Sequence, residues 1–260
     1  MKMKVLFFDF DGTIISNKTG ILPDSARDTL TKLKEAGYVL ILNTGRTKAI
    51  LSPITNTIAF DGRILGCGSY VEYQNEVIYI AEVEKKLHKD IISKIKEYDI
   101  EAFLEGKEYL YISDNITSER LLYHLREYEK NNIKIKPISD NMEFQKIFIH
   151  YNNPNYIDQF KAFINPYFEY IDRGGNCAEL VIKGHSKATG IEKILEQLHA
   201  DKEDCYVFGD SNNDIPMFEL IKNSILIGGE NPELKHMVMH ASPCVEEDGL
   251  QKAIYECGLL

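Results

Sequence analysis

KVLFFDFDGT, residues 4–13, decides the fold. Its apolar run, Val5–Phe8, is short enough to read as a fully buried strand. The run ends in two carboxylates, Asp9 and Asp11, followed by Gly12, whose missing Cβ lets the chain turn away sharply. On an extended segment residues two apart share a face, so Asp9 and Asp11 are expected to point into one crevice at the strand's C-terminal end. Downstream, Ala26, Leu30, Leu33 and Ala36 fall on one helical face, with Asp24 or Ser25 as N-cap and Gly37 as the stop. A second apolar run, YVLILN at 38–43, completes a βαβ unit, and the helical crossover makes its two strands parallel.

The C-terminal part repeats this style. Ser186 can cap a helix carrying Ile191, Ile194, Leu195 and Leu198. The strand CYVFGD (205–210), a helix around Ile215, Met217, Phe218 and Ile221, and a further strand, SILIG (224–228), follow. This alternation predicts an α/β fold around a parallel sheet. Between Glu84 and Lys183 the texture changes: helical faces at Leu87, Ile91 and Ile95 and at Leu121, Leu122 and Leu125 mix with strands near Tyr109, Phe148 and Leu180. The expected organisation is a core from residues 1–83 and 184–260 with an inserted α+β domain at 84–183.

The 260 residues are 44 % hydrophobic and 27 % charged, an ordinary globular balance that excludes disorder as the main state. A formal charge of −10 repels an extended polyanion, so nucleic acid is not an expected partner. Apolar runs such as Tyr38–Leu42 fall far short of the roughly 20 residues that cross a bilayer. No membrane partner is expected, and Asp9 and Asp11 interrupt the first apolar stretch too early for a signal-peptide core. Five scattered cysteines with no Cys-x-x-Cys pair read as reduced thiols of a cytoplasmic protein.

Three apolar strands end in polar residues of a particular kind: Asp9–Thr13, then Asn43-Thr44-Gly45-Arg46, then Gly209–Asp214. Ligands of open parallel sheets bind at the C-terminal strand edge, so these segments should converge. Asp9, Asp11, Asp210 and Asp214 together need a cation, because two unit charges 4 Å apart repel by roughly 4 kcal/mol at an effective dielectric near 20. An all-oxygen set with no His or Cys suits Mg²⁺, which commonly couples carboxylates to phosphate. Anion-binding groups are also expected: the Thr44 hydroxyl, the Lys187 ammonium at a helix start, and backbone N–H groups around Gly12 and Gly45. Such a set suits phosphoryl transfer in two steps, one carboxylate attacking phosphorus and a second carboxylic acid protonating the leaving alkoxide. An EF-hand would use Asp210, Asn212 and Asp214, but Ile215 and Ile221 stand where it requires Gly and Glu. Lys183 competes with Lys187 as a phosphate ligand, and the position before an amphipathic helix favours Lys187.

DFDGT, LNTGR, a lysine at a helix start and GDSNND, in that order, resemble the four motifs of the haloacid dehalogenase superfamily of phosphohydrolases. The insert of roughly 100 residues and the stretches AGYVLILNTGR (36–46) and SPCVEEDGL (242–250) are similar to the Cof-like subfamily with its C2-type cap. Gly66-Cys67-Gly68-Ser69 departs from the Asn-Gly often found there. The resemblance implies a three-layer α/β/α Rossmannoid core with a mobile cap. It makes Asp9 the nucleophile and Asp11 the general acid/base, with Thr44, Gly45, Lys187 and Asn213 around the phosphate. Mg²⁺ would lie among Asp9, Asp11 (through its carbonyl), Asp210 and Asp214. The implied enzyme is a Mg²⁺-dependent phosphatase of small phosphorylated metabolites, such as sugar or cofactor-like phosphates, acting as a monomer or homodimer. Its rivals are a phosphomutase of the phosphomannomutase type, a phospho-accepting signalling receiver module, and a binding protein with an inactive site.

Overall fold

The computed structural model describes residues 3–81, 83–139, 142–229 and 232–260. Its strands in chain order are β1 (Val5–Phe8), β2 (Val39–Asn43), β3 (Gly62–Leu65), β4 (Tyr70–Tyr73), β5 (Glu76–Ile80), β6 (Ile100–Glu105), β7 (Leu110–Ile112), β8 (Ile135–Pro137), β9 (Lys146–Tyr151), β10 (Phe168–Gly174), β11 (Cys177–Ile182), β12 (Cys205–Gly209), β13 (Asn223–Ile227) and β14 (His240–Ser242). The helices are α1 (Asp24–Glu35), α2 (Lys85–Glu97), α3 (Glu119–Lys130), α4 (Pro154–Ile164), α5 (Lys187–Leu198), α6 (Ile215–Leu220), α7 (Pro232–Lys235) and α8 (Gly249–Glu256). The chain divides into two compact units, one of residues 1–45, 53–80 and 186–260, the other of 46–52 and 81–185.

The first unit is built on an eight-stranded sheet in the order β14-β13-β12-β1-β2-β3-β4-β5. Every pair from β14 to β3 is parallel, whereas β3, β4 and β5 form an antiparallel extension that strand–helix alternation does not announce. Side chains two apart share a face of a sheet, and Val5 and Phe7 of β1 therefore join the α5 and α6 residues Ile191, Ile194, Met217 and Phe218 in one core. Leu6 and Phe8 point to the other face and are fully buried, with Phe8 stacked on Phe208 at 4.7 Å. On that side α1 packs with α8. The result is the three-layer α/β/α arrangement.

Helix ends differ from expectation in detail. Ser186 caps α5 in a reciprocal box with Thr189, as its position suggests. α1 instead starts at Asp24 behind Pro23, with no side-chain cap, since the fixed φ of proline already sets the entry. Ala36 is its exposed C-cap rather than part of the buried face, because the helix stops before Gly37.

The second unit carries a six-stranded sheet in the order β10-β11-β9-β6-β7-β8, antiparallel except for β7 and β8. α2 and α4 cover one face through Ile91, Ile95, Ile157 and Phe160. Leu121 of α3, Phe103, Phe148 and Ile50 form a smaller core on the other. Residues 46–52 are tied to this unit by Ala49 N donating to Gly106 O at 3.2 Å and Thr47 Oγ1 donating to Glu105 Oε2 at 3.2 Å. No described helix is long and apolar enough to cross a membrane.

Glu101 in β6 is 4 % exposed and accepts four hydrogen bonds, from Thr117 N (3.0 Å), Thr117 Oγ1 (2.5 Å), Ser118 N (2.9 Å) and Asn152 Nδ2 (3.1 Å). Burial works against its charge, but these donors outweigh it and hold the carboxyl below its ordinary value of 4.5. A depressed folded-state pKa adds stability above the ordinary value that is lost as pH falls through the depressed one. Glu101→Gln should therefore cost about 2 kcal/mol at neutral pH. The deficit in urea unfolding should shrink as pH is lowered below that ordinary value.

Candidate active site

Strands β2, β1 and β12 are neighbours, so the polar residues at their C-terminal ends share one edge of the sheet. Asp9 N donates to Phe208 O at 2.8 Å, which fastens the first carboxylate to β12. β1 ends at Phe8, so strand alternation stops before the two carboxylates. Asp11 lies in the following turn, half-buried, where Gly12 N donates to Ile15 O at 2.8 Å. Gly12 takes φ +81°, and a Cβ there would fall 2.2 Å from Asp210 Oδ2 and 2.4 Å from Asn17 Nδ2. Glycine thus makes the sharp turn and also lets the first loop touch the third.

Asp9, Asp210 and Asp214 bring one carboxylate oxygen each within 4.8 Å of one another. Asp214 is fully buried, and its Oδ2 accepts from Asp210 N at 2.9 Å and Ser211 N at 3.0 Å, folding the 210–214 turn around its own carboxylate. Gly209 permits this, since a Cβ there would lie 2.4 Å from Asp214 Cγ. The turn leads into α6 of six residues, not into an EF-hand helix. Lys187, the first residue of α5, is fully buried and donates to Asp9 Oδ1 at 2.5 Å and Asp214 Oδ1 at 2.6 Å.

These charges do not balance: three carboxylates face one ammonium. Burial favours the neutral form of Lys187, but Asp214 and Asp9 overcome it and hold the ammonium above its ordinary pKa. Burial pushes Asp9 well above the carboxylate range, Lys187 opposes, and Asp214 and Asp210 push further. Asp210 is raised to about 6 by burial and by Asp214. Its Oδ1 is buried without a hydrogen-bond partner, while Oδ2 accepts from Asn17 Nδ2 at 3.2 Å. An orphaned carboxylate oxygen beside two further carboxylates, with no His or Cys in the cluster, fits a hard divalent cation.

The remaining sequence candidates lie at the same edge. Thr44, at the end of β2, is buried, with its N donating to Ile64 O at 2.9 Å and its O accepting from Cys67 N at 3.2 Å. A Cβ on Gly45 would sit 3.6 Å from Asn213 Nδ2, so the second and third loops meet there. Asn213 Oδ1 accepts from Ser211 Oγ at 3.0 Å, which turns the amide N–H₂ toward Gly45. Lys183 is exposed in the second unit and donates to Asn165 Oδ1 at 3.4 Å. Sequence reading assigned no role to Asn43 or Asn17. Asn43 is fully buried and donates to Lys187 O at 3.2 Å, binding the end of β2 to the start of α5. An amide at the end of an otherwise apolar strand was the available signal. Asn17 offers none, because only the folded loop brings it to Asp210.

Residues 6–254 match the haloacid dehalogenase-like hydrolase family. A Bacillus subtilis candidate phosphatase, YkrA, is 30 % identical over the full length of both chains. The pyridoxal phosphate phosphatase YbhA of Escherichia coli is 23 % identical over 90 % of this chain and 91 % of its own. Among solved structures, a hypothetical protein from Geobacillus kaustophilus has a TM-score of 0.87 at 20 % identity, covering 99 % of this chain and 100 % of its own. The sugar phosphatase BT4131, of haloacid dehalogenase subclass IIB, has a TM-score of 0.81 at 23 % identity with the same coverage. Family match and full-length kinship thus agree with the strand-end carboxylates and their buried lysine: the chain belongs to the haloacid dehalogenase-like hydrolases and is a phosphatase.

Proposed function

We propose that the protein is a Mg²⁺-dependent phosphatase that hydrolyses small phosphorylated metabolites through an aspartyl-phosphate on Asp9. The observation that carries this reading is the buried Asp9–Lys187–Asp214 chain beside the orphaned oxygen of Asp210. Asp9, Asp210 and Asp214 would hold the cation, together with the Asp11 carbonyl. When bound, Mg²⁺ supplies positive charge against the phosphoryl oxygens and against the carboxylates themselves. That need is built in, because the protein's own groups push Asp9 toward its neutral form, and a nucleophile must be ionised.

Lys187 fixes Asp9 Oδ1 and with it the rotation of the attacking carboxylate. An Asp9 oxygen forms a bond to phosphorus as the bond to the ester oxygen breaks, and Asp11 delivers a proton to the departing alkoxide. Asp11, now a base, takes a proton from water, whose oxygen displaces Asp9 from phosphorus and releases inorganic phosphate. Thr44, the Gly45 backbone and Asn213 are assigned to hold the phosphoryl group. Relatives named for pyridoxal phosphate and sugar phosphates support a small, ring-bearing monoester as substrate. Free cysteines throughout the chain support a cytoplasmic setting.

A phosphate-release screen over metabolites tests the reading. Asp9→Asn should lower turnover by on the order of 10⁴-fold or more, and unchanged turnover would reject the nucleophile. Asp11→Asn should cost about 10²- to 10⁴-fold on alkyl phosphates and clearly less on p-nitrophenyl phosphate, whose leaving group needs no proton. Mg²⁺ at about 100 times its Kd should stabilise the protein by roughly 2.7 kcal/mol. Chelator should abolish that thermal shift together with activity. Gly12→Ala, strained by its positive φ and crowding Asp210, should lose most of the shift. Hexose 1-phosphate should yield free phosphate; isomerisation without release would favour the mutase.

A further inference from the structure

The second unit has a cavity of about 550 Å³ that lies entirely within its own residues. On the sheet face that carries α2 and α4, α2 lies against β6 and α4 against β10. Lys85, His88 and Lys89 of α2 line the cavity, with Lys107 and Tyr109 of the β6–β7 turn and Tyr111 of β7. The volume is that of pockets that enclose small organic molecules.

Its chemistry is unusual for a chain with a formal charge of −10. Lys85, Lys89 and Lys107 are exposed and make no ion pair among the described residues. A fourth cation, Lys136, lies 3.4 Å from the centre of the Tyr109 ring. Tyr109 and Tyr111 stand with ring centres 6.1 Å apart, and Met142 adds apolar lining. His88 is 4 % exposed, packs on Phe144 at 4.4 Å, and its Nε2 is buried without a hydrogen-bond partner. Burial, against a smaller pull from Glu143, holds this imidazole below its ordinary pKa, which favours the neutral ring with one donor and one acceptor nitrogen. Glu108 and Glu143 complete the lining as acceptors for N–H or O–H groups.

We propose that this cavity is a second, non-catalytic binding site for a small anion that carries a planar ring. The lysines attract the anionic group, and the tyrosines and Met142 take the ring. No carboxylate cluster of the Asp9–Asp210–Asp214 kind is present here among the described residues, so the site binds without turning over. The conclusion does not depend on the activity assigned to the first unit.

Phenylphosphonate is a suitable probe, because it has a ring and an anion but no phosphoester bond. The imidazole resonances of His88, assigned among seven histidines by His88→Gln, report on the cavity. Phenylphosphonate should shift them saturably, and inorganic phosphate should bind at least about tenfold more weakly. The double variant Lys89→Gln/Lys107→Gln changes only exposed side chains. It should weaken phenylphosphonate binding about tenfold or more and leave p-nitrophenyl phosphate turnover unchanged. Asp9→Asn should not alter the His88 titration. Resonances unmoved up to roughly 10 mM probe, an affinity indifferent to the lysine changes, or a shift that disappears in Asp9→Asn would each overturn the proposal.

Discussion

A single buried ammonium among three carboxylates is the constraint around which the first unit is arranged. Lys187 reaches Asp9 and Asp214 from the start of α5, and removing one partner from a buried ion pair costs about 3–5 kcal/mol. The pairing therefore holds β1, β12 and α5 in one relative position. The same geometry sets three carboxylates against one ammonium in a region shielded from water. A site with that excess is poised for a divalent cation and for the phosphate oxygens that such a cation attracts.

Backbone details serve this arrangement. Gly12 and Gly209 sit where any Cβ would collide with a carboxylate, and the 210–214 turn donates two N–H groups to Asp214. Asn43 ties the end of β2 to the carbonyl of Lys187, so the strand that carries Thr44 and the helix that carries the ammonium are joined directly. The second unit keeps its buried charges differently. Glu101 is satisfied by four donors, and Lys146 in β9 lies 3.4 Å from Glu179 in β11, so each carboxylate is answered locally.

Much of the first unit was legible because its signals are local. Short apolar runs ending in Asp, Thr-Gly or Gly-Asp announce parallel strands and their functional edge, and Ser186 announces the start of α5. What could not be read depends on packing between distant residues. The antiparallel β3–β4–β5 extension carries no periodic mark that separates it from a parallel crossover, and Asn17 meets Asp210 only through a loop–loop approach across 193 positions. Asp11 shows the limit of strand alternation, which ends with β1 at Phe8, so the turn around Gly12 sets that carboxylate's place. The role of Lys187 was expected to be toward phosphate. Its two short bonds to Asp9 and Asp214 add a duty toward the nucleophile that a bare lysine in a sequence does not express.

The neighbours of β1 have a consequence for biosynthesis. β1 pairs with β2 on one side and with β12 on the other, yet β12 begins only at Cys205, long after β2 ends at Asn43. At ribosomal speeds of about 5–20 residues per second, the second edge of β1 waits roughly 10 to 30 s for its partner. During that interval Val5–Phe8 is a hydrophobic strand with an open edge, vulnerable to pairing with other nascent chains. Chaperone occupancy of Val5–Phe8 would protect a strand whose two neighbours are synthesised so far apart.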